Sequence, residues 1–175
     1  MRAGKQVTPQ AILFDDDGET PNNPSLPLLV YRGAVEVESA TDPAALFENA
    51  FGAHGWGQGW RNGIHGFLHF HTRTHEVLGI ARGRARVQFG GAGGQELDVE
   101  AGDVVVLPAG TGHRRVSASA DLLVVGAYPD NGGFDQRRPG EIDHASAVAA
   151  VAAVPLPRAD PLYGQAGPLR EKWMR

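Results

Sequence analysis

The 175-residue chain contains no cysteine. That absence excludes a disulfide framework, a thiolate zinc site, an iron–sulfur cluster and a cysteine nucleophile. An excess of basic charge is lacking too: 16 lysines and arginines stand against 20 aspartates and glutamates, a net charge of -4. Nothing in that balance draws the chain to nucleic acid or to an anionic membrane surface. No apolar run reaches the roughly 18–20 residues that span a bilayer, and Met1-Arg2-Ala3-Gly4-Lys5 leads into polar sequence, not into a signal-peptide core. These absences predict a soluble, cytoplasmic protein with neither nucleic-acid nor membrane partners.

Glycine and proline are plentiful, with 24 and 12 copies, and show no collagen-like period. Such a chain reads as many short elements joined by tight turns. At this length one domain, residues 1–175, is expected. Ala11–Phe14 and Leu28–Tyr31 read as N-terminal strands, separated by turns at Asp15-Asp16-Asp17-Gly18 and Pro21-Asn22-Asn23-Pro24. A helix is expected from Asp42, with Pro43 at its first position, an apolar stripe of Leu46, Phe47, Ala50 and Phe51, and Gly52 as its stop. The N-terminal strands and this helix occupy residues 11–53.

Between residues 60 and 128 strand follows strand. The expected runs are Ile64–His71, Glu76–Ala81, Ala85–Phe89, Glu96–Glu100, Val104–Leu107, His113–Ala118 and Leu122–Tyr128. The breaks carry turn chemistry, as in Arg82-Gly83, Ala101-Gly102-Asp103 and Pro108-Ala109-Gly110-Thr111-Gly112. With no helices between the strands, the pattern predicts an all-β antiparallel sandwich or barrel. A second helix is expected over residues 141–154, ended by Pro155 and Pro157.

Four of the seven histidines, His65, His69, His71 and His75, fall within eleven positions. Residues two apart on a strand share a face, so His69 and His71 aim two imidazoles at one point, a geometry suited to a shared metal. Glu76 or His75 can return to the same centre, but not both from a regular strand. The helical zinc-protease pattern fails, because Gly79 stands where His75-Glu76-x-x would need histidine. His113 follows a glycine-rich turn that can deliver a side chain to a cavity mouth.

Gly63-x5-His69-x-His71-x4-Glu76-x6-Gly83, followed by Gly102-x5-Pro108-x-Gly110-x2-His113, resembles the paired motifs of the cupins. The last position of the second motif, usually asparagine, is Ser117. Within that superfamily the chain is similar to small single-domain cupins of the YjlB type, through Asp17-Gly18 to Tyr31 and the run Gly55–Ile64. The resemblance implies an antiparallel jelly-roll (cupin) β-barrel with flanking N- and C-terminal helices, and one divalent transition metal inside. Its ligands carry over to His69, His71, Glu76 and His113, with His75 as the alternative ligand. Three imidazoles and a carboxylate suit iron, manganese, nickel, zinc or copper.

The function then expected is that of a metal-dependent enzyme on a small organic acid or related oxygen-rich molecule, of dioxygenase, isomerase or decarboxylase type. The alternative is a non-enzymatic cupin that binds or senses a small ligand. Arg61, Arg115 and Tyr128 are candidates for orienting an anionic substrate, and His65 for shuttling a proton. Trp56 and Trp60 lie in an expected glycine-rich loop just before the metal strand, where they are expected to anchor the core or a subunit contact, with a pocket lid as the alternative. Arg82, Arg84 and Arg86 read as a solvated outer face. The apolar N-terminal strands suit a homodimer.

Overall fold

Two runs of consecutive apolar residues, Leu28–Tyr31 and Val104–Leu107, lie side by side in the middle of a sheet and are buried on both faces. The computed structural model describes residues 6–129 and 133–174. Along the chain run β1 (Gln10–Ile12), β2 (Leu28–Tyr31), α1 (Pro43–Ala53), β3 (Trp56–Asn62), β4 (Glu76–Arg82), β5 (Arg84–Phe89), β6 (Gln95–Glu100), β7 (Val104–Leu107), β8 (His113–Ala118), β9 (Leu123–Pro129), α2 (His144–Ala152) and α3 (Pro168–Trp173). Six strands form one antiparallel sheet in the order β1-β2-β7-β4-β9-β3, and three form another in the order β6-β5-β8.

The period-two alternation of each strand sorts its side chains between two cores. On the face of the larger sheet turned toward the smaller one, Leu78, Ile80, Val105 and Val124 meet Val87 and Phe89 of β5. On the opposite face Val77, Val106 and Val125 meet Phe47 and Phe51 of α1 and Trp173 of α3. The smaller sheet covers only one face with apolar residues. Ala85, Val87 and Phe89 point inward, while Arg84 and Arg86 are exposed, as the alternating sequence predicts.

Helix α1 begins where expected. The Asp42 carboxylate accepts from the Ala45 N–H at 3.4 Å and Pro43 opens the first turn. The helix sits close on β4: a Cβ placed on Gly79 would lie 2.3 Å from the Phe47 ring. The acidic triplet forms a turn. Asp16 accepts from Gly18 N–H, Asp17 accepts from Glu19 and Thr20, and Asp16 also meets His144 at 2.8 Å.

Three expectations need correction. The strand predicted over Ile64–His71 is an irregular extended segment, held by isolated bridges from His69 to His113 and from Phe70 to Arg137 and by single backbone bonds from Arg115 N–H to the His65 carbonyl and Gly110 N–H to the His71 carbonyl. The preceding glycine-rich run is instead strand β3, paired with β9 and bulged between Gly57 and Trp60, where Gln58 takes a φ of 53°. The two strands pack closely: a Cβ on the facing Gly126 of β9 would meet the Trp60 ring at 2.1 Å, and one on Gly59 would lie 3.2 Å from the Gly126 carbonyl oxygen. The C-terminal helix is also shorter than residues 141–154. It starts after Asp143, whose carboxylate accepts from Ser146 N–H, and a further helix, α3, follows it. Among the described residues no helix is long and apolar enough to cross a membrane.

Candidate metal centre

His69 and His113 exchange two backbone hydrogen bonds, at 3.2 and 2.9 Å, which bring their rings to a centroid separation of 4.1 Å. The glycine-rich turn before β8 is tied to the same segment, for Gly110 N–H donates to the His71 carbonyl at 2.7 Å. The ring nitrogens of His69, His71 and His113 lie within 4.8 Å of one another, and all three residues are buried. Glu76 stands outside that mutually close set but touches two of its members. Its Oε2 is 3.1 Å from His71 Nε2 and 3.3 Å from His113 Nε2.

Each of the three rings has its Nδ1 committed to a backbone carbonyl: Phe67 for His69 at 3.1 Å, Asp135 for His71, and Thr111 for His113 at 3.0 Å. A carbonyl only accepts, so Nδ1 carries the proton in every case and Nε2 keeps its lone pair for the cluster. Three nitrogen acceptors and a fully buried carboxylate therefore converge. Such a set calls for positive charge.

The ionisation preferences show the same demand. Burial drives His69 down to about 3, helped by the neighbouring His113. Burial opposes the charge on Glu76 as well, but His71 and His113 outweigh it and hold the carboxylate below its ordinary range. For His71 burial is outweighed in turn by Glu76, so this ring titrates above its ordinary value. A proton on His71 supplies one charge, and a divalent cation would supply two. The three-imidazole cluster suits a divalent transition metal, whose ligands are neutral imidazoles and ionised carboxylates.

Strand parity separates the neighbours His75 and Glu76. Glu76 shares the inter-sheet face of Leu78, whereas His75 shares that of Val77, under the helices. The alternative ligand is thus corrected: His75 Nδ1 accepts from Ala109 N–H at 2.9 Å, Nε2 donates to the Pro155 carbonyl at 3.1 Å, and its ring packs 4.9 Å from Trp173. Burial pushes His75 down to about 4, consistent with a neutral ring.

A cavity of about 410 Å³ opens above the cluster, lined by Trp60, Ile64, His65, Arg115, Tyr128, Phe134 and Gln136. Arg115 shares strand parity with His113 and lines this cavity; among the described residues its guanidinium makes no ion pair. His65 is exposed at the rim, stacked on Phe67 at 4.5 Å and edge-on to His69 at 5.2 Å. Tyr128 is buried and accepts from Trp60 Nε1–H at 2.9 Å.

Arg61 is not in the cavity. It lies on the outer face of β3, where it pairs with Asp42 at 3.0 Å and Glu48 at 2.7 Å on α1. The expectation that it orients a substrate is overturned by the alternation that turns Trp60 inward. The two tryptophans divide their roles: Trp56 is core, donating to the Ala159 carbonyl, and Trp60 forms cavity wall.

Sequence reasoning missed Phe134, Asp135 and Gln136. They lie in a polar stretch after β9 whose one signal is an isolated aromatic. Phe134 stacks on Tyr128 at 4.5 Å with an interplanar angle of 11°, which makes it part of the wall.

Residues 61–126 match the family model described as the cupin domain. Over 166 residues the chain is 37% identical to the uncharacterized protein YjlB of Bacillus subtilis (strain 168), a match covering 95% of this chain and 97% of that protein. Among solved structures, acireductone dioxygenase from Bacillus anthracis with cadmium ion in its active centre is similar with a TM-score of 0.41 and 14% identity, over 60% of this chain and 80% of that one. An oxalate decarboxylase variant from Bacillus subtilis is similar with a TM-score of 0.37 and 18% identity, over 70% of this chain and 30% of that one. Likeness at that level carries no argument about chemistry.

Proposed function

The chain belongs to the cupin family, and from that premise we propose that it is a single jelly-roll domain working as a metal-dependent enzyme on a small organic acid. Its metal would be one divalent ion of iron, manganese, nickel, zinc or copper, held by His69, His71, His113 and Glu76. The observation that carries this reading is the convergence of Nε2 lone pairs and an ionised carboxylate at the buried end of a cavity. Bound there, such an ion supplies Lewis acidity and, where redox-active, dioxygen chemistry, which covers isomerase, decarboxylase and dioxygenase reactions.

The protein's own groups divide the remaining work. Arg115, at the cavity wall and without an ion-pair partner among the described residues, holds the substrate carboxylate. His65 at the rim exchanges a proton between the bound acid and solvent. Tyr128 does not orient the substrate in this reading. Its hydroxyl accepts from Trp60 Nε1–H, and burial and the nearby Glu76 carboxylate raise its ionisation, so it stays neutral beside the cluster. Trp60, Ile64 and Phe134 form apolar wall that excludes water.

The test has two steps. Elemental analysis of protein purified without added metal is compared with His69→Ala, and the metal-loaded protein is then assayed for oxygen consumption and for turnover of a panel of small acids. One equivalent of a transition metal, lost in the variant, with turnover of an acid, supports the reading. Metal without any turnover or oxygen use overturns the enzyme assignment and leaves a ligand-binding cupin.

A further inference from the structure

The three imidazoles of the cluster are oriented by different means. His69 and His113 each donate Nδ1–H to a carbonyl two residues back in their own segment, at Phe67 and Thr111. Folding of those short segments is enough to orient both rings. His71 has no such local partner, and its Nδ1 bonds to the carbonyl of Asp135, 64 residues further along the chain.

The segment that brings this carbonyl is clamped beside the metal loop by a carboxylate. Asp135 accepts from Thr72 N–H at 2.8 Å, from the Thr72 hydroxyl at 2.7 Å and from Arg73 N–H at 3.1 Å. Arg137 Nε adds a bond at 3.3 Å to the same side chain, which is only 11% exposed. Beside the clamp, Phe70 and Arg137 exchange two backbone hydrogen bonds of 2.9 Å. Further along, the Arg138 guanidinium lies 3.7 Å from the centre of the Phe67 ring. Apart from the Arg137–Asp135 bond, which braces the segment internally, these contacts land between Phe67 and Arg73, the stretch that carries His69 and His71.

We infer that Asp135 is a positioning residue: its carboxylate docks the returning segment on Thr72 and Arg73, and its carbonyl thereby sets the His71 ring in the cluster. Three hydrogen bonds from the metal loop to one nearly buried carboxylate, with a fourth from Arg137 bracing it, make a fixed joint, since charge-assisted bonds are the stronger kind. Outer partners that orient metal-binding imidazoles are typically worth about 10- to 100-fold in metal affinity. The carbonyl itself cannot be removed by substitution. The carboxylate can, and two variants separate its parts. Asp135→Ala deletes all four acceptor bonds, while Asp135→Asn keeps one amide oxygen for the Thr72 and Arg73 N–H groups.

The inference rests on the proposed metal reading only for its second measurement. In the first, the ring N–H protons of metal-free protein are followed by NMR hydrogen exchange. In the wild type all three Nδ1 protons are protected. In Asp135→Ala the His71 proton exchanges at least about tenfold faster while those of His69 and His113 keep their rates, and Asp135→Asn restores most of the protection. The second measurement is a zinc(II) titration, in which Asp135→Ala loses about 10- to 100-fold in affinity and Asp135→Asn recovers most of it. Unchanged His71 protection in Asp135→Ala overturns the inference. So does an equal loss at all three rings, which would mean general loosening. If wild-type protein fails to bind zinc(II) or any other transition ion, the metal reading falls, and the metal-free exchange rates still decide the role of Asp135.

Discussion

The indole Nε1–H of Trp60 donates to the hydroxyl oxygen of Tyr128 at 2.9 Å. An indole nitrogen can only donate, so this hydroxyl oxygen is the acceptor and its own proton stays free to be donated. Burial and the adjacent carboxylate both push the Tyr128 ionisation up, which keeps the proton available as a donor. Tyr128→Phe removes the acceptor of the Trp60 N–H and leaves that group unpaired. Urea unfolding should show a loss of about 1–3 kcal/mol with an unchanged denaturant slope.

The cluster makes a sharper demand on composition. His71→Ala or His113→Ala, like His69→Ala, removes one of three convergent nitrogens, and elemental analysis should find the bound transition metal lost. His75→Ala removes none of them, because that ring bonds to Ala109 and Pro155. Its metal content should match the wild type even though the variant is less stable, by about 1–3 kcal/mol, for the unpaired backbone groups it leaves.

Two arginines offer a paired test of the substrate proposal. Arg115→Ala is expected to weaken binding of a small carboxylate by roughly tenfold or more in calorimetry, the scale of a lost charge-assisted bond. Arg61→Ala is expected to leave that affinity unchanged, because its guanidinium is spent on Asp42 and Glu48 outside the cavity. Equal effects of both substitutions would count against a role for Arg115 in the site.

Helix α1 provides a test of packing away from the cluster. Gly79→Ala forces a methyl group into the Phe47 ring, which stands 2.3 Å from the ideal Cβ position. A loss of about 1–3 kcal/mol is expected by thermal or urea unfolding. Gly52→Ala, within the same helix and with no atom within 4 Å of its added Cβ, should stabilise by about 0.4–1 kcal/mol.

Much of this architecture is legible before folding is considered. The strands from Glu76 to Tyr128 appear nearly where their apolar alternation and intervening turns place them. β3 is not legible, because its glycines and tryptophans read as loop until the Trp60 ring is seen seated on Gly126. The pairing of His69 with His71 follows from spacing, and that His113 joins them is what the resemblance to cupins implies. The exclusion of His75 does not follow from spacing, since one residue of register exchanges it with Glu76 and only the paired strand fixes that register.

The linear chain by itself determined an antiparallel β protein without thiol chemistry, in which His69 and His71, two residues apart, can aim at one point. These properties follow from residue type and from a period of two, which are local. Folding in three dimensions decided which side of β3 faces the cavity, so that Trp60 enters it and Arg61 leaves it. It also decided that His71 takes its orientation from Asp135. Such choices depend on strand register and on hydrogen bonds closed across more than sixty residues, and no local pattern encodes a partner at that distance.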